Sequence, residues 1–163
     1  MSVTMISIED TELMPFGRNF AGKPDDYGDD RRKCFIKIKD PRQANELMDM
    51  GVRVKQTKPR PDEDPDDYVP TYYTQCILKY RDVRGNDMKY PPKVYLVNLN
   101  GVPVPLDEES VDELDKVRIS NINVILNPWE SKDGHVSLYI RTLYVEQDFD
   151  DDPFASRYAR RGE

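Results

Sequence analysis

One short stretch in the middle of the chain constrains the fold more than any other feature. Across residues 71–80, Tyr72, Thr74 and every second residue after them alternate with a second set that begins at Tyr73. Side chains of a β-strand point alternately to opposite faces, and aromatic and β-branched residues favour strands, so this pattern predicts a β-strand. Residues 34–39 alternate apolar and basic residues with the same period of two. The two segments together indicate a fold built on a β-sheet.

Cap and turn signals place the other elements. Asp40 precedes Pro41 and Gly51 follows Met50, which predicts a short helix between them. Ser110 and Glu113, three residues apart, form a possible capping box, which predicts a second helical turn. Further strands are predicted at residues 52–55, 93–99, 117–126 and 135–145, with tight turns at 84–87, 100–101 and 133–134. Several strands, two short helices and no alternation of strand and helix favour a mainly β, mainly antiparallel barrel.

The composition divides the chain into three segments. Residues 1–32 are rich in glycine and acidic pairs and are predicted to form a loop or extended N-terminal arm. Residues 33–146 form the expected domain, with an acidic, proline-rich insert at 61–70, and residues 147–163 form a C-terminal tail. No apolar stretch approaches the roughly 20 residues of a membrane-spanning helix. The acidic N-terminus is unlike a secretory signal, so we expect a cytoplasmic protein without membrane contact.

The formal net charge of −7 is unevenly distributed along the sequence. Five acidic residues lie at 146–152 and five at 61–67, and without these ten charges the chain carries +3. Two basic groups remain in the body of the chain: Arg53, Lys55, Lys58 and Arg60 before the insert, and Lys79, Arg81, Arg84 and Lys89 around a turn. Either group can line a basic groove, although any single charge is also typical of solvated surface.

The order of several segments makes the sequence similar to a known family. Residues 37–42 (KIKDPR) enter the helix, residues 122–129 (INVILNPW) precede Gly134, and residues 138–145 (LYIRTLYV) lead into an acidic stretch. Over residues 20–154 the chain resembles phage single-stranded DNA-binding proteins, including the replication proteins of short-tailed coliphages. The resemblance implies a five-stranded OB-fold barrel that coats single-stranded DNA during phage replication or recombination, largely independent of sequence, in the host cytoplasm.

Single-strand binding requires cations for phosphates and aromatic rings for unpaired bases. Tyr73 shares the polar face of its strand with Lys79, and Tyr139 shares a face with Arg141. The candidate DNA contacts are Arg53, Lys55, Lys58, Tyr73, Lys79, Arg81, Trp129, Tyr139 and Arg141. Further candidate platforms for bases are Tyr72, Tyr80, Tyr95 and Tyr144. The alternative is that each tyrosine packs at a barrel edge and that Trp129, at the predicted hairpin bend, fills the core.

The C-terminal segment combines acids with aromatic residues, namely Phe149, Asp150, Asp151, Asp152 and Phe154. By the resemblance, this tail docks to replication or recombination proteins and competes with DNA for the basic groove. In the family the tail normally ends the chain, whereas here residues 155–163 follow, with arginines at 157, 160 and 161. These arginines can neutralise the aspartates or bind phosphate themselves. A homodimer is a further assembly that the sequence permits.

Catalytic and metal-binding motifs do not accompany these features. His135 follows a turn glycine without a serine or cysteine motif beside it, and Cys34 and Cys76 are predicted to be buried thiols. The acidic clusters at 25–26 and 62–67 lack the spacing of a calcium loop. We therefore expect no enzyme, no cofactor and no metal. A second class stays open: an acidic phage protein that mimics DNA and inhibits a host nucleic-acid-binding protein, which a uniformly acidic surface would indicate.

Overall fold

A β-sheet with two short helical segments forms the core of the computed structural model, which describes residues 5–24, 26–28, 30–82, 84–98 and 100–148. The strands of this part are β1 Ile6–Thr11, β2 Arg32–Ile38, β3 Val54–Gln56, β4 Tyr72–Leu78, β5 Lys93–Val97, β6 Pro103–Leu106, β7 Ile119–Glu130 and β8 Val136–Gln147. The helix α1 spans Pro41–Met50, and a 3₁₀ helix spans Val111–Asp115. Neither helix is long and apolar enough to cross a membrane.

The strands form one sheet with β8 at its centre. The main path runs β1-β7-β8-β4-β2, while β3 pairs with β4, and β5 pairs with β8 and β6. β8 pairs antiparallel with β7 along its length, but its first part runs parallel to β4 and its second part parallel to β5. The prediction of a mainly β fold is therefore confirmed. The sheet has eight strands, more than the predicted five-stranded barrel, and two of its strand pairings are parallel.

The N-terminal segment takes part in the sheet, so the prediction of an arm at 1–32 is wrong for Ile6–Thr11. This strand pairs antiparallel with β7, with Ile6 opposite Leu126. Just beyond it, the backbone N–H of Met14 donates to Phe35 of β2 at 2.8 Å, which links the segment to the far end of the sheet path. The strand was missed because Asp10 has a φ of 52° and the register shifts there. That irregularity hides the period of two.

The core lies on the inner face of the sheet and follows the alternation of the strands. Cys34 of β2 lies directly opposite Cys76 of β4, and both are fully buried, as predicted. Burial raises the pKa of Cys34 to about 12 and that of Cys76 as well. The largest buried neighbours are Phe20, Ile36, Ile38, Leu47, Leu114, Ile122, Leu126, Leu138 and Leu143.

The predicted helix is confirmed at both ends. The Asp40 side chain accepts a hydrogen bond from the Arg42 N–H at 3.0 Å, and Gly51 ends the helix with a φ of 99°. A Cβ at Gly51 would lie 2.7 Å from the carbonyl oxygen of Gly134. The helix end therefore packs directly against the turn between β7 and β8, where only glycine fits.

Two other predictions, the pairing of β5 and the cap of the second helix, differ from the structure. Residues 84–87, which the sequence predicts to be the tip of a hairpin, form a turn in which the Gly85 N–H donates to the Asp82 carbonyl at 3.0 Å. The strand that follows, β5, pairs with β8 and β6 and not with β4. Ser110 provides no side-chain cap, since its hydroxyl bonds to the Asp107 carboxylate at 2.9 Å. The second helical segment is a 3₁₀ helix over Val111–Asp115.

Two prolines explain why β6 was not predicted from the sequence. Pro103 lies opposite Val97 and Pro105 opposite Tyr95 at the edge of the sheet. Proline has no N–H to donate and normally argues against a strand, except at an edge. The long hairpin of β7 and β8 is confirmed, with the Ser131 N–H bonded to His135 across its turn.

Candidate nucleic-acid interface

The side chains that point away from the core form one continuous surface, here called the outer face. Residues opposite each other in neighbouring strands point to the same side of a sheet. Asn127 of β7 lies opposite Tyr139 of β8, Tyr139 opposite Ile77 of β4, and Ile77 opposite Lys33 of β2. This row crosses four strands. The outer face therefore spans the sheet from β7 to β2.

Three grooves connect along the outer face. The β3 groove, of about 330 Å³, is lined by residues that include Arg53, Lys55 and His135. The central groove, of about 710 Å³, shares Arg31 and Ile77 with it. The β5 groove, of about 580 Å³, shares Lys79 and Tyr139 with the central groove. Because each groove shares lining residues with the next, the three lie next to one another along the outer face.

The charge of these grooves is strongly positive. Nine lysine and arginine residues in the described part of the chain line them: Arg31, Arg32, Arg53, Lys55, Lys79, Arg81, Lys89, Lys93 and Arg141. The acids in the same linings are Asp30, Asp82 and Glu108. A basic track on a chain of net charge −7 shows that the acids are segregated from this surface. The track suits a polyanion.

An aromatic cluster lies at the β2 end of the outer face. The rings of Phe16, Phe35 and Tyr73 are 5.2–5.7 Å apart between centroids. The Lys55 Nζ lies 5.9 Å from the Phe35 centroid, within the range of a cation–π contact. Lys55 also lies opposite Tyr73 in the sheet register. A cation is thus placed beside rings that can stack on bases, the pairing that single-strand binding uses.

A glycine shapes this cluster. Gly17 has a φ of 75°, and a Cβ there would run into the ring of Phe35. The absence of a side chain lets the loop that carries Phe16 lie against Phe35. Phe16 remains 43% exposed, so the cluster has a solvent-facing ring rather than a sealed core.

Most of the predicted contacts come together on the outer face. Arg53 and Lys55 line the β3 groove, Arg141 lines the β5 groove, and Lys79 and Tyr139 line both the central and β5 grooves. The Lys79 Nζ lies 6.0 Å from the centroid of the Tyr139 ring. Five cations of the grooves form no salt bridge within the described ranges: Arg53, Lys55, Lys79, Lys93 and Arg141. Their charge is available to a ligand.

Trp129 differs from its predicted place. It lies within β7 opposite Ser137, not in the hairpin bend, and it is 58% exposed. The alternative that it fills the core is therefore wrong. Trp129 lines none of the three grooves, but its cross-strand neighbour Ser137 lines the β3 groove.

Arg81 and Lys58 are poorly placed to bind phosphate. The Arg81 guanidinium contacts Glu108 at 2.9 Å and Asp87 at 3.0 Å, and the hydrogen bond to Glu108 is the main reason why its pKa is raised. Arg81 therefore links Asp87, at the end of the turn, to Glu108, which lies before the 3₁₀ helix. Lys58 is exposed but lines none of the three grooves. The predicted tail residues Phe149, Asp150, Asp151, Asp152 and Phe154 lie outside the described residues.

Two aromatic residues of this surface, Phe16 and Phe35, were not predicted from the sequence. Phe35 shares one face of β2 with Lys33 and Lys37, so a phenylalanine on a basic strand face was the available signal. Phe16 lies in a loop without periodicity, and nothing in the sequence pointed to it. Lys37 itself bonds to Glu12 at 3.0 Å, and this contact lowers the pKa of the Glu12 carboxyl.

The histidine and the cysteines form no evident chemical site. His135 is exposed, with its Nε2 3.8 Å from the Asp133 carboxylate. Within the described ranges, no three His, Cys, Asp or Glu side chains are grouped to hold a metal ion.

Comparison with known proteins relates the whole chain to one family. Residues 2–162 match the model of the family described as "Putative phage ssDNA-binding domain". Two similar solved structures are of the single-stranded DNA-binding protein from bacteriophage Enc34, a C-terminal truncation and a complex with ssDNA. They share 9% and 12% sequence identity, with TM-scores of 0.49 and 0.48, over 88% of this chain and 86% of theirs. Curated protein sequences gave no match. The family match, which covers nearly all of the sequence, shows that this chain belongs to the phage single-stranded DNA-binding domain family.

Proposed function

We propose that this protein binds single-stranded DNA along the three connected grooves of the outer face and coats phage DNA during replication or recombination in the host cytoplasm. One observation carries the proposal: cations without acidic partners and partly exposed aromatic rings follow the same track. Membership of the phage single-stranded DNA-binding family supports the choice of ligand. The protein acts by binding and not by catalysis.

The cations of the track hold the phosphates. Arg53 and Lys55 bind phosphates in the β3 groove. Lys79, which lines both the central and the β5 groove, and Arg141, which lines the β5 groove, bind the phosphates there. Binding these groups releases counterions from the DNA, so the affinity falls as salt rises. Since phosphates are identical along a strand, this part of the affinity is independent of sequence.

The aromatic rings hold the bases. Phe35 and Tyr73 lie at the β2 end of the track, Tyr139 lies at its middle, and Trp129 lies beside it on β7. Stacking uses the faces of the bases, which a duplex hides within its own stack, so these rings favour single-stranded over double-stranded DNA. Every base has such a face, which keeps sequence selectivity low.

The sheet is proposed to be an enlarged variant of the OB-fold. The hydrogen bonds between residues 12–14 and β2 bring the two ends of the strand path together, as in a barrel that closes imperfectly. The binding surface lies across its central strands, where OB-folds take oligonucleotides. The extra β5–β6 pair lengthens this surface beyond that of five strands.

A DNA-mimicking inhibitor is the less favoured alternative. Mimicry requires carboxylates arranged on the exposed surface, whereas basic side chains outnumber acidic ones in the lining of the three grooves. The acidic insert 61–70 carries no helix or strand that would fix its charges in a phosphate-like array.

The decisive experiment compares labelled oligo-dT with duplex DNA of equal length at several salt concentrations. The proposal expects tighter binding to oligo-dT and an affinity that falls with salt. Equal affinity for both forms, or affinity unaffected by salt, would contradict it. A mixed-sequence single strand serves as the control for base selectivity and should bind similarly to oligo-dT.

The acidic C-terminal tail is proposed to compete with DNA for the track and to recruit replication or recombination proteins. The charge of 146–152 alone supports this part, since a tethered polyanion has a high effective concentration near a basic groove. The arginines at 157, 160 and 161 are the competing explanation, because they add cations to the same segment.

A further inference from the structure

A second pair of aromatic rings lies beyond the β5 groove. The rings of Tyr95 and Tyr144 are stacked, with centroids 4.7 Å apart and planes 15° from parallel. Tyr95 of β5 lies opposite Tyr144 of β8 in the sheet register. Tyr144 remains 38% exposed. The pair therefore presents an aromatic surface to solvent, held in place by two adjacent strands.

This pair continues the outer face. Lys93 and Thr142 line the β5 groove and lie opposite each other, two residues before Tyr95 and Tyr144 on their strands. Alternation along a strand places residues two apart on the same side. The tyrosine pair thus adjoins the β5 groove, and Lys93 provides a cation beside it. Neighbouring rings and a cation repeat the arrangement of the aromatic cluster at the other end.

Acidic groups mark the end of the track just past the pair. Glu146 follows Tyr144 by two residues on β8, and its carboxylate accepts a hydrogen bond from Asn121 at 2.6 Å. The same Asn121 amide donates to the Asp10 carboxylate at 3.2 Å. Two carboxylates at this position repel phosphate, so a bound strand would end or turn away there.

We propose that Tyr95 and Tyr144 form a distal base-stacking site for single-stranded DNA. This inference rests on the proposed function and extends its footprint. The distance between the two ends can be counted along the parallel strands β4 and β8. Four residues separate Tyr73 from Ile77 on β4, and Ile77 lies opposite Tyr139 of β8. Five more residues lead from Tyr139 to Tyr144. At about 3.3 Å per residue, the distance along the strands from the aromatic cluster to the distal site is about 30 Å. One strand of DNA then contacts rings at both ends of the track.

The distal site predicts an effect that depends on DNA length. A Tyr144→Leu variant is expected to bind oligo-dT of about 16 nucleotides about 5- to 150-fold more weakly, the range for one lost base–aromatic stack. Its binding to oligo-dT of about 4 nucleotides, which can still occupy the rest of the track, should change little. Tyr144→Phe keeps the ring and should restore the binding of long DNA. Tyr27→Leu, a change at a tyrosine that is 96% exposed and lines none of the grooves, is the matched control.

The two proposals fail in different ways. If the wild-type protein does not bind oligo-dT of either length, the proposed function is wrong. If it binds both but Tyr144→Leu has wild-type affinity for long DNA, only the distal site is wrong. Equal weakening for both lengths in a folded variant would also overturn the distal site. Emission from Trp129, the single tryptophan, provides an independent signal for occupancy near the β3 groove, which its cross-strand neighbour Ser137 lines. The change in this emission on DNA binding should be the same in Tyr144→Leu as in the wild type.

Discussion

Replacing three cations of the track tests the binding mode quantitatively. The variant changes Arg53, Lys55 and Lys79 to alanine, which removes three of the five groove cations that the two proposals place along the DNA. The other two are Lys93 and Arg141. All of these side chains lie on the outer face and none belongs to the buried core, so the variant should fold.

The expected magnitude follows from counterion release. For single strands, log K falls with log salt with a slope of about −0.7 per neutralised phosphate, so five contacts give about −3.5 and two give about −1.4. Raising salt from about 50 to about 200 mM should therefore weaken wild-type binding about 130-fold and the triple variant only about 7-fold. The slope is the diagnostic quantity because it counts contacts, whereas the affinity at one salt concentration does not.

The assay is fluorescence anisotropy of labelled oligo-dT across that salt range. The control variant changes Arg42, Arg60 and Lys116 to alanine, which alters the net charge equally but affects exposed residues outside the grooves. Its slope should equal that of the wild type. A triple groove variant that remains folded and keeps the wild-type slope would refute the outer face as the phosphate track. A matching decrease in the control variant would show that only total charge matters.

Three other predictions test separate features. Gly17→Ala and Gly28→Ala both place alanine in a left-handed conformation, which should lower the unfolding free energy by about 1–2 kcal/mol. Only Gly17→Ala should also displace Phe35 and weaken oligo-dT binding, because a Cβ at Gly28 meets no other atom. Burial raises the pKa of Cys34 from 9.0 to about 12, so above pH 9 the unfolded chain loses a proton that the folded chain retains. The unfolding free energy from urea titration should then fall by about 1.4 kcal/mol per pH unit from this thiol, and Cys34→Ala should reduce the fall. Truncation after Gln147 should tighten DNA binding at low salt; weaker binding would instead show that the C-terminal arginines hold phosphate.

The sequence predicted the elements with regular periods and strong caps. β2, β4 and the β7–β8 hairpin follow clear alternation, and α1 has both its Asp40 cap and its terminal Gly51, so local chemistry was sufficient. β1 and β6 were missed because each contains a local exception: the left-handed Asp10 in the first and prolines in the second. Pairing with neighbouring strands overrides these unfavourable local signals.

The candidate site was predicted less completely than the fold. Lys79, Tyr139 and Arg141 were found because alternation identifies residues on one face of a strand. Alternation does not reveal ion pairing, so nothing in the sequence showed that Arg81 bonds to Glu108 across 27 positions of the chain. Phe16 contributes through a loop whose path depends on Gly17, a tertiary feature without a periodic signal.

The prolines of β6 have a consequence for self-association. Only the N–H groups of Val104 and Leu106 can donate to β5, which leaves Pro103 and Pro105 on the alternate positions that face outward. The exposed edge therefore lacks two hydrogen-bond donors that an incoming strand would need. A protein that coats DNA, as proposed above, is concentrated locally on the strand, where pairing between exposed sheet edges favours aggregation. We expect the two prolines to oppose such pairing between neighbouring molecules.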